Sequence, residues 1–289
     1  MVERFKNGFR LVGASWNVLK ADRELLVLPI LSFLSSVGLL VLLFFGLFAD
    51  DLSVFRDNGP LQAPTAFEWI IIGLGTYALS YVTIFFNVAL LCAANDRMTG
   101  GDPTVASALS DAWRHAGAIA PWALVSVVVS TILRAIEERA GIVGRIAAGI
   151  LGLAWALITY LVLPVLVLEG LSVREAITRS KDLFVKTWGE TVSGELGMSL
   201  VGFLAVLVAI PPLLLIGGGG QPVMVGVAVA LAVAWLIIVA VVMGALNMVF
   251  RVALYRYAAD SEAPEGFAHL DLGNVFPPKR RRGLFGRTA

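Results

Sequence analysis

The chain has 289 residues, 58% of them hydrophobic and 15% charged, and its mean hydropathy is +0.85. A soluble domain usually carries about 25% charged residues, so this composition excludes an ordinary water-soluble fold. The net charge of +1 says little; where the charges lie says more.

The first segment carries an apolar stripe of Phe5, Phe9, Val12, Trp16 and Leu19, with Arg4, Lys6 and Arg10 on its polar side. Leu25–Ala49 then runs without Asp, Glu, Lys or Arg, longer than the ~20 residues that cross a bilayer. It starts behind a charged stretch, outlasts a signal-peptide core and lacks a clear cleavage site; it reads as a retained first span. Trp69–Asn95 is the second span and holds the single cysteine, Cys92, so no intramolecular disulfide forms. Pro103 at a first helical position, with Asp102 before it, signals a helix start. His115–Leu133 and Ile146–Leu168 are the third and fourth spans, with Pro164 interrupting the fourth near its exit and freeing a carbonyl for a neighbour to satisfy.

The next stretch, "EGLSVREAITRSKDLFVKTWGE" (Glu169–Glu190), is a water-compatible helix between membrane segments. Ser172 and Glu175 form a capping-box pattern. Val173, Ala176, Ile177, Ser180, Phe184 and Trp188 share one helical stripe, opposite Arg174, Glu175, Arg179, Lys181, Asp182 and Lys186. Such a helix is expected to lie in the interface, apolar face in the lipid. Leu196–Phe250 is long enough for two more spans, carries Pro211 and Pro212, and is divided by the turn chemistry of Ile216–Pro222.

The expected fold is therefore all-α and integral to the membrane. Six transmembrane helices form three hairpins, each preceded by a cytoplasmic interfacial amphipathic helix. Pro103–His115 aligns with Leu171–Leu183, which makes the hairpins an internal repeat, with units of about 1–95, 96–168 and 169–259 in one membrane domain, 1–259. Units of two spans share an orientation, so their symmetry axis runs along the membrane normal. Residues 260–289 form a basic tail, expected to be disordered and cytoplasmic. Of 22 Lys and Arg residues, 18 fall in the segments on the side of the termini, placing both termini in the cytoplasm of a multi-pass cell-membrane protein.

Candidate sites follow from polar residues in apolar surroundings. Asn87 and Asn247, within spans two and six, are either interhelical glue or, with Pro164, the lining of a polar site between hairpins. Arg251 and Arg256 are expected to reach the inner headgroups. With Arg174, Arg179, Lys186 and Trp188 they form the expected cytoplasmic docking or headgroup surface. Glu169 is expected to be solvated or salt-bridged. Lys279, Arg280, Arg281 and Arg282 attract anionic headgroups; positive-inside topology explains that cluster without nucleic acid. The two histidines, His115 and His269, lack metal-ligand spacing, no serine sits in a G-x-S-x-G elbow, and Gly217–Gly220 is no phosphate loop. No catalytic residue, metal or cofactor is expected. A non-enzymatic, membrane-structural or lipid-linked role with a partner-binding cytoplasmic face is the first expectation; a small carrier or lipid transporter with a site between the hairpins is the second.

Ser15–Ser32, Gly152–Gly170, Ala176–Glu190 and "ALYRYA" at Ala253–Ala258 together resemble an uncharacterised family of mostly bacterial six-span membrane proteins, the domain of unknown function of the 6159 type, over roughly residues 5–259. The layout is more distantly similar to the membrane domain of some glycerophosphodiester phosphodiesterases, without their catalytic domain. The resemblance implies architecture and supplies no substrate.

Overall fold

The computed structural model describes residues 12–20, 22–48, 65–139, 141–208, 210 and 222–260. Their regular structure is helical throughout. We number the helices α1 (12–20), α2 (Val27–Phe48), α3 (Ala66–Met98), α4 (Val105–Arg114), α5 (Ala116–Arg139), α6 (Gly141–Ile158), α7 (Val162–Leu168), α8 (Val173–Lys186), α9 (Trp188–Leu207) and α10 (Pro222–Asp260), with a 3₁₀ turn at Arg23–Leu26.

Among the described residues, five helical stretches are long and apolar enough to cross a membrane: Glu24–Leu47, Ala66–Met98, Ala116–Arg139, Gly141–Leu168 and Val223–Ala259. Where a further span was expected, the apolar part of α9 is the shorter Gly197–Leu207; Pro211, Pro212 and the glycine run lie outside the described residues, as do the basic tail and Phe5 and Phe9. At 1.5 Å per residue α3 is about 50 Å long and α10 about 58 Å, both well beyond the ~30 Å of a hydrocarbon core.

Burial is concentrated at one end. In α3 it is dense from Val88 to Ala94, in α10 from Ala245 to Tyr255, and in α7 it takes in Val162, Val165, Leu166 and Val167. The far halves of α3 and α10 leave large side chains uncovered, such as Phe67, Trp69, Leu74, Val223 and Leu231. In water such a surface would drive association; in hydrocarbon it costs nothing. Neighbouring helices pack as α2 on α3, α5 on α6 and α9 on α10, and α10 also touches α2, α3, α7 and α8. Trp122 of α5 stacks on Trp155 of α6 at 6.1 Å. The Trp235 indole N–H donates to the Ala205 carbonyl (2.8 Å) and ties α10 to α9.

Short capped helices enter α5 and α9 through one-residue joints. The Thr104 amide donates to Ser107 Oγ (2.9 Å) and the Ser107 amide to Thr104 Oγ1 (3.1 Å). The Glu175 carboxylate accepts from the Ser172 amide (3.1 Å) and hydroxyl (2.6 Å), and these bonds, the hydroxyl's first, hold its carboxyl below the usual range. His115 and Thr187 are the joints, with φ/ψ of −96/6° and −107/21°. The turn into α2 is capped instead by Asp22, whose Oδ1 accepts from the Glu24 amide (3.2 Å). Its other oxygen is buried and has no hydrogen-bond partner among the described residues.

A Cβ at Gly75 of α3 would press on the Leu43 side chain of α2, so Gly75→Ile should lower the thermal midpoint of the detergent-solubilised protein, whereas Gly73→Ile, in open space, should leave it near wild type. Burial, opposed by the Glu24 amide bond, raises the Asp22 pKa. A raised carboxyl binds its proton more tightly folded than unfolded, so its ionised form destabilises the fold above that pKa and the penalty fades as pH falls through it. Asp22→Asn should therefore raise the midpoint at neutral pH, with the gain shrinking in acid, as a midpoint-against-pH series would reveal.

Candidate functional site

The fourth span is broken. Its first part, α6, ends at Ile158, and α7 restarts at Val162 after a turn through Thr159, Tyr160 and Leu161. The Val162 amide bonds to the Thr159 carbonyl (3.1 Å) instead of reaching back to Ile158. Pro164, in the first turn of α7, has no N–H to offer the Tyr160 carbonyl. The break thus frees backbone groups where water is scarce, each costing several kcal/mol if left unpaired.

Ser180 of α8 repairs it. Its hydroxyl donates to the Ile158 carbonyl (2.7 Å) and accepts from the Leu161 amide (3.0 Å). One side chain spans the gap, and it is fully buried. Ala176, Leu183 and Phe184 are buried around it, with Phe184 against the Tyr160 ring at 6.2 Å. The apolar stripe of α8 therefore packs on protein, against α6, α7 and α10. This corrects the expectation of a lipid-facing stripe: the buried hydroxyl of Ser180 has its use against a broken helix, not in hydrocarbon.

The same end holds two further polar links. Glu169, just past α7, receives Arg179 Nε at 3.2 Å on both carboxylate oxygens and the Tyr255 hydroxyl at 3.1 Å. Arg256 Nε donates to Asn95 Oδ1 (2.9 Å), joining α10 to the end of α3. The Arg251 guanidinium sits 4.5 Å over the Tyr160 ring. Helices α3, α7, α8 and α10 are stitched at one level, and these groups are largely committed to each other. The arrangement positions helices.

The candidate residues divide accordingly. Arg179, Arg251 and Arg256, expected on a docking or headgroup surface, are half-buried and engaged by Glu169, Tyr160 and Asn95, because α10 runs through the middle of the packed end and its cations meet neighbouring helices first. Arg174 and Lys186 are exposed. The Trp188 side chain lies outside the described residues. Asn247 Nδ2 donates to its own helix at the Met243 carbonyl (3.0 Å), and the residue lines a cavity of about 410 Å³ between α9 and α10. Neither Asn87, half-buried on α3, nor Pro164, buried in α7, is part of that lining. The three do not share one site there. Sequence reasoning missed Tyr160 and the work of Ser180; the available signal was a serine on an apolar stripe directly after a proline-broken span.

Ser180→Ala strands the Ile158 carbonyl and the Leu161 amide, each with a desolvation cost of about 1–3 kcal/mol. Its thermal midpoint in detergent should fall clearly below that of Thr178→Ala, which removes only an exposed hydroxyl bonded within its own helix. Equal midpoints would show that the break is held by something else.

No curated protein and no solved structure matches the chain. A family model does match, over residues 67–266, a range that contains every residue of the polar network at the packed end. The chain belongs to the family of unknown function DUF6159.

Proposed function

We propose that the chain is a six-span membrane protein of three hairpin units, both termini cytoplasmic, with a non-enzymatic membrane-structural or lipid-linked role. The observation that carries this reading is the contrast between its ends. One end is packed and cross-linked through Glu169, Arg179, Tyr255, Arg256 and Asn95. Toward the other, α2 and α3 leave an apolar cavity of about 720 Å³, lined among others by Val41, Phe45 and Ile72. A rigid foot with open apolar flanks suits holding lipid chains.

The recurring joints at His115 and Thr187, each behind a capped helix, support the repeat, and the contacts of α2 with α3, α5 with α6 and α9 with α10 support three hairpins. The 18 basic residues on one side support cytoplasmic termini. Exposed Trp113 on α4 and Arg174, Lys181 and Lys186 on α8 suit the interface between lipid and cytoplasm, where a membrane-protein partner would also bind. A carrier needs its polar lining residues on one cavity, and the separation of Asn87 and Pro164 from the Asn247 cavity weighs against it.

Reporter fusions at each end test the span count directly. Six spans put both termini on the cytoplasmic side; five put them on opposite faces, which would sink the three-hairpin reading. Mass spectrometry of protein extracted in mild detergent tests the role: co-purified lipid is expected, and a preparation free of lipid would remove the lipid-linked half of the proposal.

A further inference from the structure

The half of α5 away from the packed end carries a polar face. Ile119, Trp122 and Ala123 are buried at the packed end, whereas Leu124, Val128 and Ile132 are uncovered beyond it. Leu124, Val127, Thr131, Arg134 and Glu138 step along the helix by three, four, three and four residues, the spacing of a seam that packs one helix on another. Val127 is half-buried and the other four are exposed. Leu133, by contrast, faces α6, with its Cδ1 3.8 Å from where a Cβ on Gly152 would sit.

That contact fixes the depth of Arg134. Gly152 lies six residues, about 9 Å, inside the charge-free run that begins at Ile146. At that level α6 exposes Ile150, Leu151 and Leu153, so Arg134 stands among side chains suited to hydrocarbon. A charge at such depth is costly and marks a functional surface by default. Among the described residues no ion pair joins Arg134 to Glu138; arginine ahead of glutamate is the poorer order for a pair along one helix.

Across a two-fold axis the same two charges complement each other. Arg134 of one copy and Glu138 of the partner subunit are separated by about 6 Å of helix rise, within reach of both side chains, and the symmetry makes the pair twice. Glu138 also offsets the approach of the two Arg134 side chains. Thr131 is short and its hydroxyl already donates to the Val127 carbonyl (2.8 Å), which lets the backbones come close. A lipid phosphate would suit Arg134 but be repelled by Glu138 and the neighbouring exposed Glu137. We propose that the chain forms a parallel two-fold homodimer through this face of α5. Such a dimer does not depend on the lipid-linked role.

The test is disulfide cross-linking of the full chain in membranes, in a Cys92→Ser background that leaves no native thiol. With Thr131→Cys, oxidation should give a product of two chains, since cysteines at a helix seam come within bridging distance. Leu153→Cys, exposed on α6, should stay monomeric. Arg134→Glu or Glu138→Arg alone should cut the cross-linked fraction about fivefold, the scale of losing two interhelical polar contacts, and the two together should restore it. That restoration decides the matter if either single variant folds poorly. Cross-linking at Thr131 no greater than at Leu153, a fraction indifferent to both single reversals, or no recovery in the double variant overturns the dimer.

Discussion

The hydroxyl of Ser180 is the contact on which the packed end depends. A helix that stops and restarts inside a membrane must satisfy its loose backbone groups internally, and here one oxygen serves a carbonyl and an amide at once. Because α8 supplies that oxygen, the water-compatible helix is fixed against the broken span. Its Arg179 then meets Glu169 just beyond α7, and Tyr255 of α10 meets the same carboxylate. Local repair and helix assembly share one set of residues.

Solvent explains the rest of the shape. A soluble protein hides its large side chains all round; here they are hidden only where helix ends carry polar groups that must find each other. Elsewhere Phe45, Leu74, Ile146 and Leu231 stay uncovered, since lipid tails are as apolar as leucine and give helices no hydrophobic reason to close. Association away from the polar end is left to tight spots such as Gly75 against Leu43 and the Trp235–Ala205 bond. The cavity between α2 and α3 is a consequence, and side chains such as Val41, Phe45 and Ile72 line it.

The capped helices before α5 and α9 use the same local solution, a polar side chain over the first turn and a single residue in the bridge region before the longer helix. Ser107 takes the capping position in one and Glu175 in the other. The difference matters electrically: an ionised Glu175 favours the positive end of α8, whereas α4 has no acidic residue in its first turn. The two capped helices share a geometry while their charges differ.

Membership of an all-helical, membrane-crossing class was legible in the charge-free runs, since hydrocarbon admits a backbone only as a helix of about 20 apolar residues. The cap at Ser172 was legible for the same reason, being local and depending on residues three apart; the start signal at Asp102 and Pro103 lies just ahead of the actual cap, Thr104. Pro164 announced an interruption in the fourth span. What covers that interruption was not legible, because Ser180 lies 19 residues beyond Leu161 and nothing in a stripe pattern distinguishes lipid from protein as its partner. Nor could spacing say that Arg251 would meet Tyr160, or Arg256 meet Asn95 across 161 residues. The sequence by itself determined the solvent, the helices and their caps, all of which follow from local composition. Only the tertiary structure decided which polar groups pair, because that depends on which helix ends converge.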